Sequence, residues 1–498
     1  MSKIEEAQDV LKELGLPRQQ QNKICALTLL ALADIRNESQ WSSAKQNSLT
    51  LSKDIIEFVN REYHQDYKAN TRESFRTIAL RPFIKHSIAV HNPDDPSLKP
   101  NSSKTHYALS DLTVKTIRKY KTSEWKASVK NFKSKISLKN RLVIKNFKSI
   151  KEVEFDISRV NVFIGRPNSG KSNLLEALTL FNFIQPRRNQ FNEPGIIRYN
   201  SLDNLFFDRD LDNEIEVSLG TNQTLFSYQS RINTFFHIVN PSSEYLRNVR
   251  KLFASGLSLN NIEKQFPFLS PDPKVDKYSS KFEILDANGG RIKSGQVEER
   301  ENPIRRYEFK DGSSYGDTFS TYLKTYGENL FTIVRENSEL LEWINSFYEE
   351  YQLEFLIDFS SKAFEIQKKQ KGFVYKIPFE LTPDTFRRML FNIAAIYSNE
   401  NATILLEEPE AHSFPPYVKE LSELIKRDHN NNNYFITTHS PYFFNSMVED
   451  AKKFRDVSFF HVYYDDFQTK IKKLSSKELD NIWGNGADVF FNIDSLNK

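Results

Sequence analysis

A glycine-rich loop between an apolar strand and a helical stretch constrains this chain more than any other feature. Residues 162–178 read VFIGRPNSGKSNLLEAL, and Gly165 to Ser172 match the pattern G-x-x-x-x-G-K-[ST]. Glycines in this pattern let successive backbone N–H groups turn towards phosphate oxygens, and the following helix adds the partial positive charge of its N-terminus. The motif therefore predicts a nucleotide-phosphate site built from a strand, a loop and a helix.

Two residues of this loop have specific predicted roles. Lys171 is expected to reach the β- and γ-phosphates, and the hydroxyl of Ser172 is expected to bind Mg²⁺. The remaining residues would contribute backbone N–H groups and short polar side chains. The full set of predicted nucleotide-binding residues is Gly165, Asn168, Ser169, Gly170, Lys171, Ser172 and Asn173.

Two later strands end in polar side chains, in the segments ATILLEEPE and YFITTHSP. Strands of a parallel sheet deliver such groups to its carboxyl edge, where these folds bind ligands. Glu407 is expected to hold the metal and Glu408 to act on the attacking water, whereas Glu410 is expected to shape the turn. His439 is expected to sense the γ-phosphate as a second catalytic residue. In the competing interpretation, the two acids only cap a strand and the histidine has a structural role.

Length and composition indicate a multidomain protein without membrane segments. A chain of 498 residues exceeds the size at which one hydrophobic core usually stops growing. The start, MSKIEEAQDV, carries acidic residues where a signal peptide carries basic ones. The single cysteine, Cys25, excludes a disulfide within the chain and a cysteine metal site, and it is expected to be a core thiol. The predicted location is the cytoplasm, with no membrane partner.

Charge is distributed unevenly along the chain. Residues 1–140 contain 24 Lys and Arg against 15 Asp and Glu, whereas the rest contains 45 against 50. A basic first part points to a polyanionic partner such as nucleic acid. The alternative is a solvated basic surface without a partner.

Pattern changes divide the chain into three parts. Residues 1–120 contain helical stretches followed by the turn-rich segment HNPDDPSLKPNSSKTHYAL, which predicts a hairpin such as a winged helix needs. Residues 121–140 are strongly basic and are interpreted as a linker or as a phosphate-binding strap. Strand patterns begin at 141 and continue through residues 141–498, with an insertion expected at about 238–316.

The segments IKNFKSI, GRPNSGKS, LLEEPEAHSFP and ITTHSP together resemble ATPases of the RecF, SMC and OLD type, close to the ABC class and grouped with AAA-domain proteins of the AbiEii kind. The resemblance covers about residues 140–498. It implies an α/β fold with an ABC/SMC-like P-loop ATPase domain carrying a helical insertion, and ATP with Mg²⁺ as cofactors. It also implies a homodimer that sandwiches two ATP molecules, each completed by a signature segment of the partner.

The chain departs from this family pattern in the signature segment. Where L-S-x-G is expected, residues 381–388 read LTPDTFRR and contain no glycine. Thr382 and Thr385 are the candidate residues for a contact with the γ-phosphate of the partner's site. This departure puts tight sandwiching and fast turnover in question. The metal-binding acid is also Glu407 where many relatives have aspartate.

The first block resembles the N-terminal module of BsuBI/PstI-type restriction endonucleases, in LKELGLPRQQQNKICALTLLALADI, ANTRESFR and HNPDDPSLKPNSSKTHYAL. The similarity spans about residues 8–120 and implies a mainly helical, winged-helix-like domain that binds duplex DNA. The candidate DNA contacts are Arg72, Arg76, Arg81, Lys85, Lys119 and Lys121.

Intrinsic nuclease activity is not expected. The 59 residues that follow His439 are fewer than the roughly hundred of the Toprim domain that the OLD-type resemblance would imply. Asp465, Asp466 and Asp488 are expected to be turn residues.

The resulting hypothesis is an ATP-driven, DNA-sensing switch. It would be the ATPase subunit of a prokaryotic anti-phage system that acts with a separately encoded effector, a nuclease or a toxin. One alternative is a RecF-like repair or replication factor. Another is a DNA-binding scaffold that holds ATP with little hydrolysis.

Overall fold

The computed structural model divides the chain into two compact units, Met1–Lys139 and Asn140–Lys498. It describes residues 2–93, 105–139, 141–182, 196–241, 251, 281–296, 303–310, 320–449, 456–484, 489–493 and 496.

The first unit is mainly helical. Its helices are α1 (Lys3–Glu13), α2 (Lys23–Leu32), α3 (Glu57–Tyr63), α4 (Arg72–Ser74), α5 (Arg81–Lys85), α6 (Asp111–Ile117) and α7 (Trp125–Lys139), with π-helical turns at Leu51–Ile56 and Phe75–Leu80. A small antiparallel sheet has the order β1 (Leu49–Thr50), β3 (His106–Leu109), β2 (Ala89–His91). The antiparallel pairing of β2 with β3 confirms the hairpin expected after the helices. Residues 94–104 of that hairpin segment lie outside the described residues.

Helix α2 forms the centre of the first unit, because almost every position of KICALTLLAL is buried. Its N-terminus is capped by Asn22, whose side chain accepts a hydrogen bond from the backbone N–H of Cys25. The thiol of Cys25 donates to the carbonyl oxygen of Ile78 at 3.2 Å, and burial raises the pKa of this thiol to about 12. Cys25 is therefore an inert core thiol, as expected.

The structure differs from the predicted basic linker at 121–140. Most of this segment is helix α7, which belongs to the first unit. Val129 and Phe132 are buried in the same core as α2 and α6. A helix with buried apolar side chains is held by packing, whereas a linker would be solvated on all sides.

A six-stranded sheet forms the centre of the second unit. Its strands are β6 (Val160–Ile164), β12 (Ile304–Tyr307), β16 (Thr403–Glu407), β17 (Asn433–Thr437), β18 (Val457–Asp465) and β19 (Gln468–Lys473). The order is β12-β16-β17-β6-β18-β19, and the first five strands are parallel. Alternate side chains of these strands enter two separate cores, one on each face. Burial on both faces explains why the strands are apolar throughout.

An antiparallel sheet of seven strands adjoins the core that also contains the helix after the glycine-rich loop. Its order is β11-β10-β9-β8-β7-β4-β5. The strands are β4 (Arg141–Phe147), β5 (Ile150–Asp156), β7 (Ile215–Leu219), β8 (Asn222–Gln229), β9 (Thr234–Val239), β10 (Lys281–Asp286) and β11 (Arg291–Gln296).

The range expected to be an insertion, 238–316, contributes to both sheets. Strands β10 and β11 extend the seven-stranded sheet, and β12 is an edge strand of the six-stranded sheet. The rest of this range lies largely outside the described residues. Where the range is described, it is therefore part of the sheet framework and not a helical addition.

The other face of the six-stranded sheet is covered by helices and a small sheet. Helix α8 (Lys171–Thr179) packs in the core shared with the seven-stranded sheet. The helices of the other face are α9 (Leu330–Glu336), α10 (Ser338–Glu349), α11 (Asp384–Tyr397), α12 (Pro415–Arg427), α13 (Pro441–Glu449) and α14 (Ser476–Gly484). The small antiparallel sheet contains β13 (Glu354–Asp358), β14 (Ala363–Gln370) and β15 (Phe373–Pro378). The α/β fold class with a mainly helical first unit is confirmed. Among the described residues, none of the helices has the length and apolar character needed to cross a membrane.

Candidate nucleotide site

The glycine-rich loop connects β6 to α8 at the carboxyl edge of the parallel sheet. Gly170 has a φ of +99°, and a side chain there would come within 2.0 Å of the hydroxyl of Thr469. A Cβ on Gly165 would come within 2.1 Å of the carbonyl oxygen of Val462. Both positions require glycine, because the loop is packed against β18 and β19.

Lys171 lies under the loop at the first position of α8. Its ammonium group donates to the carbonyl oxygens of Gly165 and Arg166, each at 2.9 Å. Burial lowers the pKa of Lys171 to about 8, although Glu408 and Glu407 act in the opposite direction. The side chain is thus placed within the loop, where a bound phosphate would accept its hydrogen bonds.

Two residues that the sequence did not suggest support the loop from outside. The hydroxyl of Thr469 donates to the carbonyl oxygen of Ser169 at 3.0 Å and lies 2.7 Å from the hydroxyl of Ser149. Asn173 donates to the hydroxyl of Ser149 at 2.7 Å, and its predicted role in binding nucleotide stays a prediction. No pattern within the loop motif indicated these contacts, because Ser149 and Thr469 are 320 residues apart in the chain.

The predicted metal ligands meet between α8 and β16. The hydroxyl of Ser172 donates to Oε1 of Glu407, and the guanidinium of Arg306 donates to Oε2 of the same carboxylate. Arg306 lies on β12, which pairs with β16 in parallel, and its other terminal nitrogen donates to the carbonyl oxygen of Ile196 at 2.6 Å. The arginine is buried, so its charge is balanced mainly by Glu407. Arg306 was missed because it lies within the range interpreted as an insertion.

The residues present fit a magnesium nucleotide. A hydroxyl and a carboxylate are the oxygen ligands that Mg²⁺ takes from P-loop proteins, with the remaining ligands supplied by phosphates and water. The buried hydroxyl of Ser169 has no hydrogen-bond partner among the described residues, and it lies in the loop that would surround the phosphates. The described residues contain no group of three or more His, Cys, Asp or Glu side chains suited to a metal. Ser172 and Glu407, which are in contact, would hold the ion together with the nucleotide.

The predicted catalytic pair lies at the ends of β16 and β17. Glu408 Oε1 is 3.6 Å from Nε2 of His439. Glu408 has a φ of +46°, which is uncommon for a residue other than glycine and turns the chain directly after Glu407. Burial lowers the pKa of His439, and the nearby charge of Lys171 lowers it further. Glu408 acts in the opposite direction, and the lowered pKa favours the neutral imidazole, in which one nitrogen donates a hydrogen bond and the other accepts one.

Glu410 shapes the turn, as its position suggested. It is buried, and the hydroxyl of Thr438 donates to its Oε1, which ties the loop after β16 to the loop after β17. Burial raises the pKa of Glu410 to about 7. This contact holds the Glu408 loop beside the His439 loop.

The signature segment begins helix α11, and both candidate hydroxyls have partners in the same chain. Thr382 donates to the carbonyl oxygen of Phe379, and Thr385 donates to that of His412, each at 2.6 Å. The amide of Asn392 donates to the carbonyl oxygen of Pro409 at 2.8 Å. Helix α11 is thereby connected to the loop that carries Glu408 and Glu410. The role of either threonine in a partner's site stays a prediction.

The candidate DNA contacts differ in how much of their charge is available. Arg72 and Arg81 are exposed on consecutive helices of the first unit. Arg76 is 3.3 Å from Glu73 and partly buried. The side chain of Lys85 lies outside the described part of the chain. Arg72 and Arg81 are therefore the strongest candidates of this group.

The two candidate lysines after α6 form ion pairs within the first unit. Lys119 is 2.8 Å from Glu124, and Lys121 is 2.5 Å from the buried Glu6. Although burial alone would raise the pKa of Glu6, hydrogen bonds from Lys121, Lys3 and Trp41 lower it to about 2. Lys121 thus compensates a buried carboxylate, which reduces its availability for phosphate.

The aspartates considered for a nuclease do not form a site in the described residues. Asp465 and Asp466 lie at the turn between β18 and β19, where Asp465 is 3.1 Å from Lys470. Asp488 lies outside the described residues. The first two are turn residues, as expected.

The family of the second unit follows from the sequence as well as from this geometry. Residues 160–445, more than half of the chain, match the family described as "AAA domain, putative AbiEii toxin, Type IV TA system". The chain belongs to this family. Residues 1–139 match the BsuBI/PstI restriction endonuclease HTH domain. This AAA-domain chain therefore carries a restriction-endonuclease HTH domain in front of its ATPase.

Individual relatives show the same division. The Type II restriction enzyme BsuBI of Bacillus subtilis is 39% identical over 124 residues, which cover 25% of this chain and 39% of that enzyme. An ATP/GTP phosphatase of Helicobacter pylori is 24% identical over 334 residues, covering 60% of this chain and 85% of the relative. The chain thus spans about two fifths of the length of the restriction enzyme and most of the phosphatase.

One solved structure similar to the chain is SdaI restriction endonuclease, with 27% sequence identity and a TM-score of 0.26. The match covers 34% of this chain and 53% of the SdaI chain. Another is the SMC head domain from Thermotoga maritima, with 12% sequence identity and a TM-score of 0.30. That match covers 68% of this chain and 98% of the SMC head domain. The family and the P-loop geometry together identify the second unit as an ATPase of the AAA type.

Proposed function

We propose that this chain is an ATP-driven, DNA-sensing switch that works as the ATPase subunit of a prokaryotic anti-phage system. The observation that carries the proposal is the meeting of Lys171, Ser172, Glu407, Glu408 and His439 at one sheet edge, in a chain whose first 139 residues match a restriction-endonuclease HTH domain.

The proposed reaction is attack of water on the γ-phosphorus of ATP. Glu408 accepts a proton from the water as the new P–O bond forms, and the bond to the β–γ bridging oxygen breaks to leave ADP and phosphate. Lys171 binds the β- and γ-phosphates, and His439 hydrogen-bonds the γ-phosphate. Ser172 and Glu407 hold Mg²⁺, which neutralises phosphate charge when bound. Arg306 positions Glu407 for this role.

The first unit is proposed to bind duplex DNA through Arg72 and Arg81. Both guanidinium groups are exposed and suit phosphate oxygens, which Arg binds through two parallel hydrogen bonds. DNA binding would change the population of an ATP-bound homodimer, in which each site is completed by the partner's α11 segment. Such a switch requires that one state of the dimer binds ATP more tightly than the other. The dimer would then act on a separately encoded nuclease or toxin in the cytoplasm.

The decisive experiment is the steady-state ATPase rate of the full chain with and without duplex DNA. We expect DNA to change the rate several-fold, and we expect Arg72→Glu/Arg81→Glu to remove that response. Arg18→Glu/Lys23→Glu is the matched control, because it makes the same charge change at exposed positions of the first unit that are not candidate contacts.

Other outcomes assign a different function. A rate that does not respond to DNA contradicts the sensing role. Tight ATP binding with turnover no faster than that of Glu408→Gln would favour a scaffold that holds ATP. The in-chain hydrogen bonds of Thr382 and Thr385 are the observation that favours this second candidate.

A further inference from the structure

The outer half of the small sheet β13-β14-β15 exposes aromatic side chains that no helix covers among the described residues. All six residues of β15 are exposed. Phe373 and Tyr375 are 65% and 54% exposed, and their ring centroids are 6.4 Å apart. Two adjacent exposed rings form an apolar surface of the kind at which proteins bind partners.

The strand register places these rings on one face of the sheet. Ile377 pairs with Ile366, Tyr375 with Lys368, and Phe373 with Gln370. Directly paired residues of antiparallel strands share a face. Ile366 is buried in the core, whereas the residues further along the same face, towards the hairpin tip, are exposed to solvent. This face ends at the hairpin tip, which is formed by Lys371 and Gly372.

Charge differs between the two faces of this sheet. On the opposite face, Lys369 is 2.8 Å from Glu354, and Lys376 is 2.6 Å from Glu365. On the aromatic face, Lys368 has no carboxylate partner in the described part of the chain, and the same is true of Lys371 at the tip. Here the aromatic face means Lys368, Lys371, Phe373, Tyr375 and Ile377.

The charge of the hairpin selects the class of partner. Of the five lysines in residues 359–378, Lys369 and Lys376 are paired with carboxylates on the opposite face, whereas Lys368 and Lys371 lie on the aromatic face. A second copy of this chain would bring its own lysines against these, which is unfavourable. A polyanion with flat apolar groups would satisfy both the lysines and the rings. Single-stranded nucleic acid has this combination, because its unpaired bases stack on aromatic side chains while its phosphates bind lysines.

We propose that the aromatic face is a binding site for single-stranded nucleic acid. Two bases stack on Phe373 and Tyr375, and the adjoining phosphates bind Lys368 and Lys371. Duplex DNA does not fit this site, because the faces of its bases are already stacked within the helix. The inference does not depend on the proposed duplex-binding role of the first unit.

The test is the affinity of the full chain for a fluorescein-labelled oligothymidylate of about 20 nucleotides, a length chosen to exceed the site size of typical single-strand binding folds. Fluorescence anisotropy is measured at fixed salt. Phe373→Ala/Tyr375→Ala is expected to raise Kd about tenfold or more, since each lost stacking contact weakens binding substantially. Tyr375→Phe keeps the ring and should retain affinity. The Kd for duplex DNA should not change in any of these variants.

A neighbouring pair of lysines supplies the matched control. Lys368→Ala and Lys369→Ala remove the same charge from adjacent positions on opposite faces. Only Lys368→Ala is expected to weaken oligothymidylate binding, by about threefold, as loss of one phosphate contact would. Sedimentation of each variant reports its oligomeric state.

Three outcomes would overturn the proposal. The first is oligothymidylate affinity that does not change in Phe373→Ala/Tyr375→Ala. The second is an equal loss in Lys368→Ala and Lys369→Ala, which would indicate diffuse charge attraction. The third is a change of oligomeric state without a change in affinity, which would make the face an interface between copies.

Discussion

Arg306 shows how one buried residue can restrict the position of Glu407, the candidate metal ligand. The guanidinium is buried and the carboxylate is partly exposed, so the pair lies between the protein interior and the phosphate loop. Removing one partner of such a pair leaves a charge without compensation and typically costs about 3–5 kcal/mol. Arg306 therefore restricts the positions that Glu407 can take beside Ser172.

We predict that Arg306→Ala weakens the response to magnesium. Apparent Mg²⁺ affinity in the ATPase assay should fall about 10–100-fold, as is typical when a group that orients a metal ligand is removed. Arg305→Ala is the control, because Arg305 contacts Asn399 and stacks over Tyr322, away from Glu407. An unchanged magnesium titration in Arg306→Ala would show that Arg306 has only a structural role.

We predict that Glu408→Gln traps ATP. The amide keeps the shape of the side chain but cannot accept the proton, so kcat should fall about 10²–10⁴-fold while ATP still binds. Lys171→Ala should instead abolish ATP binding, which calorimetry will distinguish. Normal turnover by Glu408→Gln would mean that another group, such as His439, acts as the base.

At the scale of elements, helix α7 illustrates the limit of reading charge from sequence. Its lysines gave the segment the appearance of a linker, but Val129 and Phe132 bury one stripe of the helix. A few buried apolar side chains outweigh these charges, because Lys126, Lys130 and Lys133 remain exposed to solvent while Val129 and Phe132 are buried.

We predict that Phe132→Ala destabilises the first unit by about 3–5 kcal/mol, the usual cost of removing a buried phenylalanine. Asn131→Ala, at an exposed position of the same helix, should change stability by less than about 0.5 kcal/mol. Denaturant unfolding followed by the fluorescence of Trp41, which is buried in the same core, measures both. Equal stability of the two variants would restore the linker interpretation.

The strands that carry the site were predictable because each is short, apolar and ends in a polar group. The strand β12 was not, since IRRY carries two arginines and lies in the range interpreted as an insertion. It becomes a strand of the parallel sheet only because β16 offers a free edge for it.

At the scale of the molecule, the two units have separate cores and distinct sequence relatives. The first matches the BsuBI/PstI restriction endonuclease HTH domain, and the second is an AAA-type ATPase. The excess of basic residues in the first unit is the property that would give it affinity for DNA at a distance.

We predict that a chain starting at residue 140 keeps ATP binding and loses most affinity for duplex DNA. Duplex affinity of the full chain should fall steeply with salt, with a log–log slope of about −0.9 for each phosphate contacted. Fluorescence anisotropy at several salt concentrations measures the duplex affinity of the full chain and of the shortened chain. Equal duplex affinity of the shortened chain would place the duplex site on the ATPase unit.

The sequence by itself indicated the chemistry at the loop, because the motif GRPNSGKS places Lys171 and Ser172 at a helix start, whereas the packing that requires Gly165 and Gly170 involves Val462 and Thr469. It also determined that two strands end in Glu407, Glu408 and His439. Only the tertiary structure decided that Arg306 reaches Glu407 and that Thr469 and Ser149 support the loop. These contacts join residues far apart in the chain, and they depend on which strands lie side by side, a property that no local pattern contains.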